Sequence, residues 1–125
     1  VTGSASILLV DDEEMLTEVN GSILETLGYS VTTCNNGAEA LRVFSAEPDA
    51  IDLVITDMTM PGMTGLDLAA EIKKIKPSAP VLLCTGFNEQ LTKEKAEETG
   101  IFDIIMKPFT SIELGQAIKK GLKNG

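Results

Sequence analysis

The chain has 125 residues, with 19 acidic and 10 basic side chains, no histidine and a formal net charge of −9. This length suits one compact domain, and the excess of acid disfavours nucleic acid as a direct ligand because phosphate backbones select clustered lysine and arginine. The absence of histidine excludes Ser-His-Asp triads, Cys-His pairs and histidine-based zinc sites.

Ten predicted elements alternate along the chain, beginning with a strand. Each predicted strand is a short run rich in Ile, Leu and Val, and each predicted helix has apolar residues at a period near 3.6. In chain order the segments are Ile7–Val10, Met15–Leu27, Tyr29–Cys34, Ala38–Phe44, Leu53–Ile55, Leu68–Ile75, Val81–Cys84, Glu89–Glu98, Ile101–Met106 and Leu114–Leu122. On the first helix we expect one apolar stripe, made of Met15, Leu16, Val19, Ile23, Leu24 and Leu27.

Strict alternation of strand and helix predicts an α/β fold in which a parallel sheet carries helices on both faces. With five strands, the flavodoxin-like order 2-1-3-4-5 is the natural candidate, and its ligand crevice lies outside the carboxyl ends of the first and third strands. In that order the strands of Cys34 and Cys84 are three steps apart. That separation, about 14 Å, is too large for a disulfide.

The start of the chain and its cysteine content bear on domain limits and compartment. Residues 1–6 are small and polar, so we expect a linker or an expression remnant there, followed by one domain over residues 7–125 that was cut from a longer parent. Two cysteines do not make the disulfide framework of a small secreted protein, and no stretch reaches the 18 apolar residues of a membrane span. We therefore expect a cytoplasmic protein.

Polar side chains stand where four of the predicted strands end: Asp11-Asp12, Asp57, Thr85 and Lys107. Taken singly, each has a structural explanation, such as a helix cap or a solvated turn. Together they lie at one edge of the sheet, where crowded carboxylates repel and need a cation. Oxygen-only ligands favour Mg²⁺. Because a carboxylate beside Mg²⁺ and a lysine can attack phosphorus, the pattern points to a transient aspartyl phosphate.

These residues and their spacing resemble the receiver domain of two-component response regulators, over about residues 7–124. The segment from Leu53 to Gly65 resembles the phosphorylation-site signature of that family. The other matching fragments are Asp11-Asp12 for the acidic pair, Thr85-Gly86 for the switch hydroxyl and Lys107-Pro108-Phe109 for the lysine motif. Any one fragment is a weak signal, but four in the right order and spacing are highly specific.

The resemblance implies a phosphoacceptor and a metal site. Asp57 would accept the phosphoryl group and bind the metal, Asp12 would be a direct Mg²⁺ ligand, and Asp11 would act on the metal mainly through water. The main-chain carbonyl of Thr59 would complete the protein ligands. Mn²⁺ could substitute for Mg²⁺.

The resemblance also implies how the site responds to phosphorylation. Lys107 would pair with Asp57 or the phosphoryl group, and the Thr85 hydroxyl would turn toward a phosphoryl oxygen. The Lys107–Pro108 bond is expected to be a cis peptide, although most X-Pro bonds are trans. Gly65 is interpreted as a loop position or the approach to the next helix.

Two positions bear on signalling and on phosphoryl lifetime. Three residues before Lys107, where the family often has an aromatic residue, this chain has Ile104, and the nearest aromatic is Phe102. We expect a muted or different signal on the face made by the fourth helix, the fifth strand and the fifth helix. Phe87, two residues beyond Thr85, is bulky and apolar, and we expect it to slow hydrolysis of the acyl phosphate.

The predicted function is a phosphoacceptor switch rather than an enzyme that turns over a released substrate. A histidine kinase, a histidine phosphotransfer domain or a small phosphodonor would supply the phosphoryl group, and the domain would catalyse its own phosphorylation and dephosphorylation. The apolar stripe of the first helix and the loops around Asp57 would contact the kinase. Thr85-Gly86-Phe87 and the linker-like start favour a hybrid sensor kinase as the parent. We expect no direct nucleic acid binding and no membrane segment in this chain.

Three other functions are compatible with parts of the same pattern. A phosphatase of the haloacid-dehalogenase class also uses an aspartyl nucleophile with Mg²⁺, but its second Asp is missing because Met58-Thr59 follows Asp57. A flavin or nucleotide binder is disfavoured because the chain has neither G-x-G-x-x-G nor a Walker lysine loop. A pseudo-receiver that binds partners without being phosphorylated is opposed by the retained acids, Thr85 and Lys107, and stays open as the alternative.

Overall fold

The computed structural model describes residues 5–86 and 93–124, and its elements alternate as predicted. The strands are β1 (Ser6–Val10), β2 (Ser30–Cys34), β3 (Leu53–Asp57), β4 (Val81–Thr85) and β5 (Asp103–Met106). The helices are α1 (Glu14–Thr26), α2 (Gly37–Ala46), α3 (Gly65–Ile75), α4 (Lys93–Thr99) and α5 (Ser111–Asn124). A single 3₁₀ turn at Pro48–Ala50 was not predicted, and the predicted start of the fourth helix lies outside the described residues.

All five strands are parallel and lie in the order β2-β1-β3-β4-β5, which confirms the flavodoxin-like prediction. β3 extends two residues beyond the predicted run, so that Asp57 is the last residue of the strand and lies opposite Cys84 of β4. β1 begins one residue earlier than predicted, at Ser6, whose N–H donates to the Asp52 carboxylate at 2.7 Å.

Alternate residues of the central strands pack into two separate cores, one on each face of the sheet. In β1, Leu8 and Val10 face the core covered by α2, α3 and α4, whereas Ile7 and Leu9 face the core covered by α1 and α5. β3 and β4 are buried along their whole length in the same way. Because both faces are covered, these strands read as continuous apolar runs rather than as alternating ones.

The apolar stripe predicted for α1 lies partly on the buried face of the helix and partly on its exposed face. The helix buries Thr17, Gly21 and Leu24, and it leaves Met15 74% and Val19 52% exposed. An added Cβ on Gly21 would lie 3.6 Å from a methyl group of Thr33 in β2, which is ordinary van der Waals contact, so the backbone of α1 lies close to the sheet at this point. The part of the stripe at Met15 and Val19 is left facing solvent.

Two smaller sequence predictions can also be checked. Cys34 and Cys84 are both buried on β2 and β4, three steps apart in the sheet, and no disulfide joins them. Burial and the neighbouring Glu39 carboxylate raise the pKa of Cys34 to about 11, so its thiol is protonated at neutral pH. Among the described residues, no helix is long and apolar enough to span a membrane.

Two glycines of α5 have opposite surroundings. An added Cβ on Gly121 would overlap the ring of Phe102 and approach Leu53 to 2.7 Å, so this glycine lets the aromatic ring lie directly on the helix. An added Cβ on Gly115 would meet only the end of the Leu27 side chain, at 3.6 Å. Gly121 is thus required by packing, whereas Gly115 lowers helix propensity with no such gain.

We predict that Gly121→Ala lowers the free energy of unfolding by about 1–3 kcal/mol, because the methyl group overpacks the Phe102 contact. The matched variant Gly115→Ala should raise it by about 0.5–1 kcal/mol, because alanine is the better helix former and has room here. Urea denaturation followed by circular dichroism measures both. Equal effects of the two substitutions would contradict the packing argument.

Candidate functional site

The strand order brings the predicted polar residues to one edge of the sheet. Asp11 follows β1, Asp57 ends β3, Thr85 ends β4 and Lys107 follows β5. Asp11, Asp57 and Thr85 are each only 5% exposed, although all three are polar. Asp12 is exposed. The site is therefore a shallow acidic depression whose floor is buried and whose rim, at Asp12, meets solvent.

Asp11, Asp12 and Asp57 form an acidic cluster that fits a small divalent cation. Each contributes a carboxylate oxygen, and the three oxygens lie within 4.8 Å of one another. Two ligands on opposite sides of one Mg²⁺ are about 4.2 Å apart, so the spacing of the three oxygens is close to what one ion requires. The donor set is oxygen only, as Mg²⁺ prefers, and oxygen donors equally suit Mn²⁺.

Lys107 places a positive charge against the acidic cluster. Its Nζ lies 2.5 Å from Oδ1 of Asp57 and 3.4 Å from Oδ2 of Asp11. Burial alone lowers the pKa of Lys107, but the hydrogen bond to Asp57 and the charges of Asp11 and Asp57 outweigh burial and raise the pKa above its ordinary value. The ammonium group therefore stays charged at neutral pH, beside the oxygen that would react.

An apolar floor lies beneath Asp57 and Lys107. It is lined by Leu9, Ile55, Cys84, Phe109 and Leu114, and it encloses a cavity of only about 10 Å³. So small a space excludes bulk water from below, and the low polarity strengthens the attraction between the lysine and the carboxylates. Solvent therefore reaches the site from the rim.

Main-chain hydrogen bonds fix the strand ends that carry the site. The N–H of Lys107 donates to the carbonyl of Thr85 at 2.8 Å, and the N–H of Met58 donates to the carbonyl of Cys84, also at 2.8 Å. The Lys107–Pro108 bond is cis, which confirms the prediction. The ends of β4 and β5, which carry Thr85 and Lys107, are thus held together through the backbone.

Gly65, interpreted from the sequence as a loop position or the approach to the next helix, also shapes the site. It is the first residue of α3, and its N–H donates to the carbonyl of Met58 at 2.9 Å. An added Cβ would overlap the main-chain carbonyl oxygen of Asp57. The start of α3 therefore lies directly against the strand end that presents Asp57, and only glycine allows that approach.

The roles predicted for Thr59 and Phe87 stay predictions. Thr59 is exposed, two residues beyond β3, and its main-chain carbonyl as a metal ligand stays a prediction. Phe87 lies outside the described residues, so its proposed effect on phosphoryl lifetime also stays a prediction.

Sequence reasoning missed Asn35, the residue that follows β2. Its side-chain amide donates to the main-chain carbonyl of Asp11 at 2.9 Å and to Oγ1 of Thr17 at 3.2 Å. The segment Asn35-Asn36-Gly37 reads as a turn, and a turn alone gives no sign of a side chain that bonds to distant residues. The signal that could have found Asn35 is its place at the carboxyl end of a strand, the same signal that identified Asp57 and Lys107.

Comparison with known proteins decides the family. Residues 7–119 match the sequence profile described as the response regulator receiver domain. The chain belongs to this family. A receiver domain protein from Clostridium thermocellum has a matching structure, with a TM-score of 0.91, 37% sequence identity and coverage of 95% of this chain and 94% of that one.

Longer relatives contain the same receiver domain. The transcriptional regulatory protein GlrR of Escherichia coli K12 is 40% identical over 119 residues, which are 95% of this chain and 26% of that protein. The receiver domain of the sensor histidine kinase PA1611 from Pseudomonas aeruginosa PAO1 has a TM-score of 0.85 and 26% identity, covering 97% of this chain and 99% of that one. That structure has a magnesium ion in its active site cleft. The chain spans about a quarter of the length of GlrR.

The acidic cluster of this receiver domain predicts a measurable destabilisation when no metal is present. Asp12→Ala should raise the melting temperature in metal-free, low-salt buffer by about 2–4 °C, because it removes one of three mutually repelling carboxylates. Glu18→Ala is the matched control, since it removes an exposed acid from α1 outside the cluster. Equal shifts for the two variants, measured by differential scanning calorimetry, would show that the gain reflects net charge alone.

Proposed function

We propose that this receiver domain accepts a phosphoryl group on Asp57, assisted by Mg²⁺ bound to the acidic cluster. The observation that supports this most strongly is the placement of Asp57. Its carboxylate is 5% exposed, lies within 4.8 Å of the Asp11 and Asp12 oxygens, and contacts the Lys107 ammonium group at 2.5 Å. A nucleophilic oxygen between a cation site and a fixed ammonium group is suited to attack on an anionic phosphoryl group.

The metal ligands in this proposal are the side chains of Asp11, Asp12 and Asp57, with the main-chain carbonyl of Thr59. Because Asp11 already accepts hydrogen bonds from Lys107 and from the N–H of Glu13, it is suited to hold the metal through water rather than directly. When bound, Mg²⁺ supplies charge neutralisation of the phosphoryl oxygens. The related PA1611 receiver, with magnesium in its cleft, supports this choice of ion.

The covalent step is a phosphoryl transfer between two nucleophiles. One carboxylate oxygen of Asp57 forms a new O–P bond while the bond from phosphorus to the donor breaks, and the electron pair of that bond leaves with the donor. With a phosphohistidine donor the leaving group is the imidazole, and with acetyl phosphate it is acetate. Lys107 stays protonated and pairs with the phosphoryl oxygens, because its pKa is raised. Hydrolysis of the product by water regenerates Asp57 and inorganic phosphate.

Phosphorylation converts the site into a switch by adding charge where Lys107 and Thr85 can respond. The phosphoryl group carries about −1.5 to −2 charges at neutral pH and offers three acceptor oxygens. Because the Lys107 N–H is bonded to the Thr85 carbonyl, the two residues are held side by side at the strand ends, where both can respond to the added group. The added charge thereby shifts an equilibrium between two conformations that partners distinguish.

The kinase contact in this proposal is the exposed apolar part of α1 with the neighbouring loop after β5. Met15 and Val19 face solvent on α1. A cleft of about 420 Å³ beside them is lined by Leu16, Asn20, Lys107, Pro108 and Phe109. Apolar residues that meet solvent at the rim of a reactive site suit a partner that must place a phosphohistidine over Asp57.

The parent protein and its output belong to the same proposal. The relatives named transcriptional regulators are longer than this chain, so the argument against nucleic acid from net charge applies to this domain and not to a longer parent. The PA1611 receiver comes from a sensor histidine kinase, which keeps the hybrid-kinase parent a reasonable prediction. The cytoplasmic location also stays a prediction.

Acetyl phosphate with Mg²⁺ tests the proposal directly. We expect mass spectrometry of the intact protein to show one added phosphoryl group, and chelation of the metal by EDTA to abolish the addition. Asp57→Asn should remove the adduct, whereas the control Asp49→Asn, at an exposed carboxylate outside the site, should keep it. No adduct on the parent would favour the alternative, a pseudo-receiver that binds partners without phosphorylation.

The part of the signalling face made by β5 and α5 should respond weakly, because Phe102, the aromatic residue nearest to Ile104, packs against α5. Ile104 packs into the core under α2, α3 and α4, while Phe102 lies in the opposite core against Gly121 of α5. We expect backbone amide NMR shifts caused by the phosphoryl mimic beryllofluoride to be large around Asp57 and small along β5 and α5. A rearrangement there as large as that around Asp57 would refute the prediction.

A further inference from the structure

The side chain of Asn35 joins three segments that are distant in sequence. Asn35 follows β2, and its amide donates to the main-chain carbonyl of Asp11, after β1, and to the hydroxyl of Thr17, in α1. Its own N–H donates to the Glu39 carboxylate of α2 at 3.2 Å. One asparagine thus links the end of β2 to the loop that carries two of the three clustered carboxylates.

Thr17 is placed to orient that asparagine. It is 2% exposed, on the face of α1 that lies against the sheet. Its hydroxyl donates to the carbonyl of Glu14 at 2.8 Å, so the lone pairs of the oxygen are left to accept from Asn35. A valine at this position would keep the shape and lose the acceptor.

The loop from Asp11 to Glu13 needs such a restraint because its own charges push it outward. Asp11 and Asp12 lie close to Asp57, and like charges at this distance repel. The backbone of Asp11 is held by two bonds to the end of β2: its N–H donates to the carbonyl of Cys34 at 3.2 Å, and its carbonyl accepts from Asn35. The Glu13 N–H then donates to Oδ1 of Asp11 at 2.9 Å.

We propose that Asn35, supported by Thr17, is a positioning residue that holds the Asp11–Asp12 backbone ready for a divalent cation. The inference rests on the proposed function, since it assumes that the acidic cluster binds Mg²⁺. Without the amide, the Asp11 carbonyl loses its donor and the loop relaxes away from Asp57. Part of the binding free energy of the cation is then used to draw the loop back, so the affinity falls.

Titration calorimetry of the metal-free protein with MgCl₂ tests the proposal, using two adjacent asparagines as a matched pair. Asn35→Ala should raise the Kd for Mg²⁺ about 10-fold, the lower end of the effect of removing a residue that orients a metal ligand. Asn36→Ala is the control, because Asn36 caps α2 by accepting from the Glu39 N–H at 2.7 Å and has no bond to Asp11. Its Kd should stay within about 2-fold of the parent value, although a helix cap is lost.

A second pair of variants tests the role of the Thr17 hydroxyl. This pair keeps the proposal testable if Asn35→Ala does not fold. Thr17→Ser keeps the oxygen and should keep the parent Kd, whereas Thr17→Val should raise the Kd by a smaller factor than Asn35→Ala. Hydrogen exchange in the metal-free protein gives a readout without the cation. The Glu13 N–H, which bonds to Asp11, should exchange faster in Asn35→Ala than in Asn36→Ala.

The outcomes separate this inference from the proposed function. If the parent binds Mg²⁺ and Asn35→Ala binds it equally well, the positioning role is overturned while the metal site stands. If Asn35→Ala and Asn36→Ala weaken binding by the same factor, the effect is general destabilisation and the positioning role is also overturned. A parent that binds no Mg²⁺ overturns the metal site, and the inference with it.

Discussion

Three carboxylates held together at one sheet edge are the constraint on which the rest of this receiver domain depends. Their mutual repulsion opposes folding, and the described structure offsets it in two ways. Lys107 places a positive charge against Asp57 and Asp11. The backbone around Asp11 is restrained by bonds from Asn35 and to Cys34. The site is therefore acidic before a divalent cation binds, and in the proposed function that cation offsets the negative charge of the carboxylates and of the phosphoryl group.

The rigidity of the sheet keeps the repelling carboxylates close together. β1 and β3, which carry Asp11 and Asp57, are the central strands, and both of their faces are covered by buried apolar side chains. A strand packed on both sides cannot shift to relieve repulsion at its end without opening a core. Relief must therefore come from side chains and loops at the rim, such as Asp12, rather than from the strands themselves.

Much of this arrangement could be predicted from the sequence because the information is local or periodic. Continuous apolar runs identified the strands, their alternation with helices predicted the order 2-1-3-4-5, and polar residues at strand ends identified Asp57 and Lys107. What could not be predicted depends on contacts between distant segments. The role of Gly65 depends on how closely α3 approaches the carbonyl of Asp57, and the exposure of Met15 and Val19 depends on how α1 lies on the sheet. Asn35 escaped notice because its partners, Asp11 and Thr17, are reached only through the fold.

The helices on the two faces of the sheet are anchored by different amounts of buried apolar surface, and this difference affects which helix can shift. On one face, Phe102 lies against Gly121 and Leu53, and Leu114, Ala117 and Ile118 of α5 are buried with them, so α5 is firmly held. On the other face, the described part of α4 contributes one buried residue, Ala96, to the core, beside the half-buried Ile104. A helix with so little buried apolar surface needs less free energy to shift than one anchored along its length. Since Thr85 ends the strand next to β5, a conformational response that begins at Thr85 meets less resistance on the side of α4 than on the side of α5.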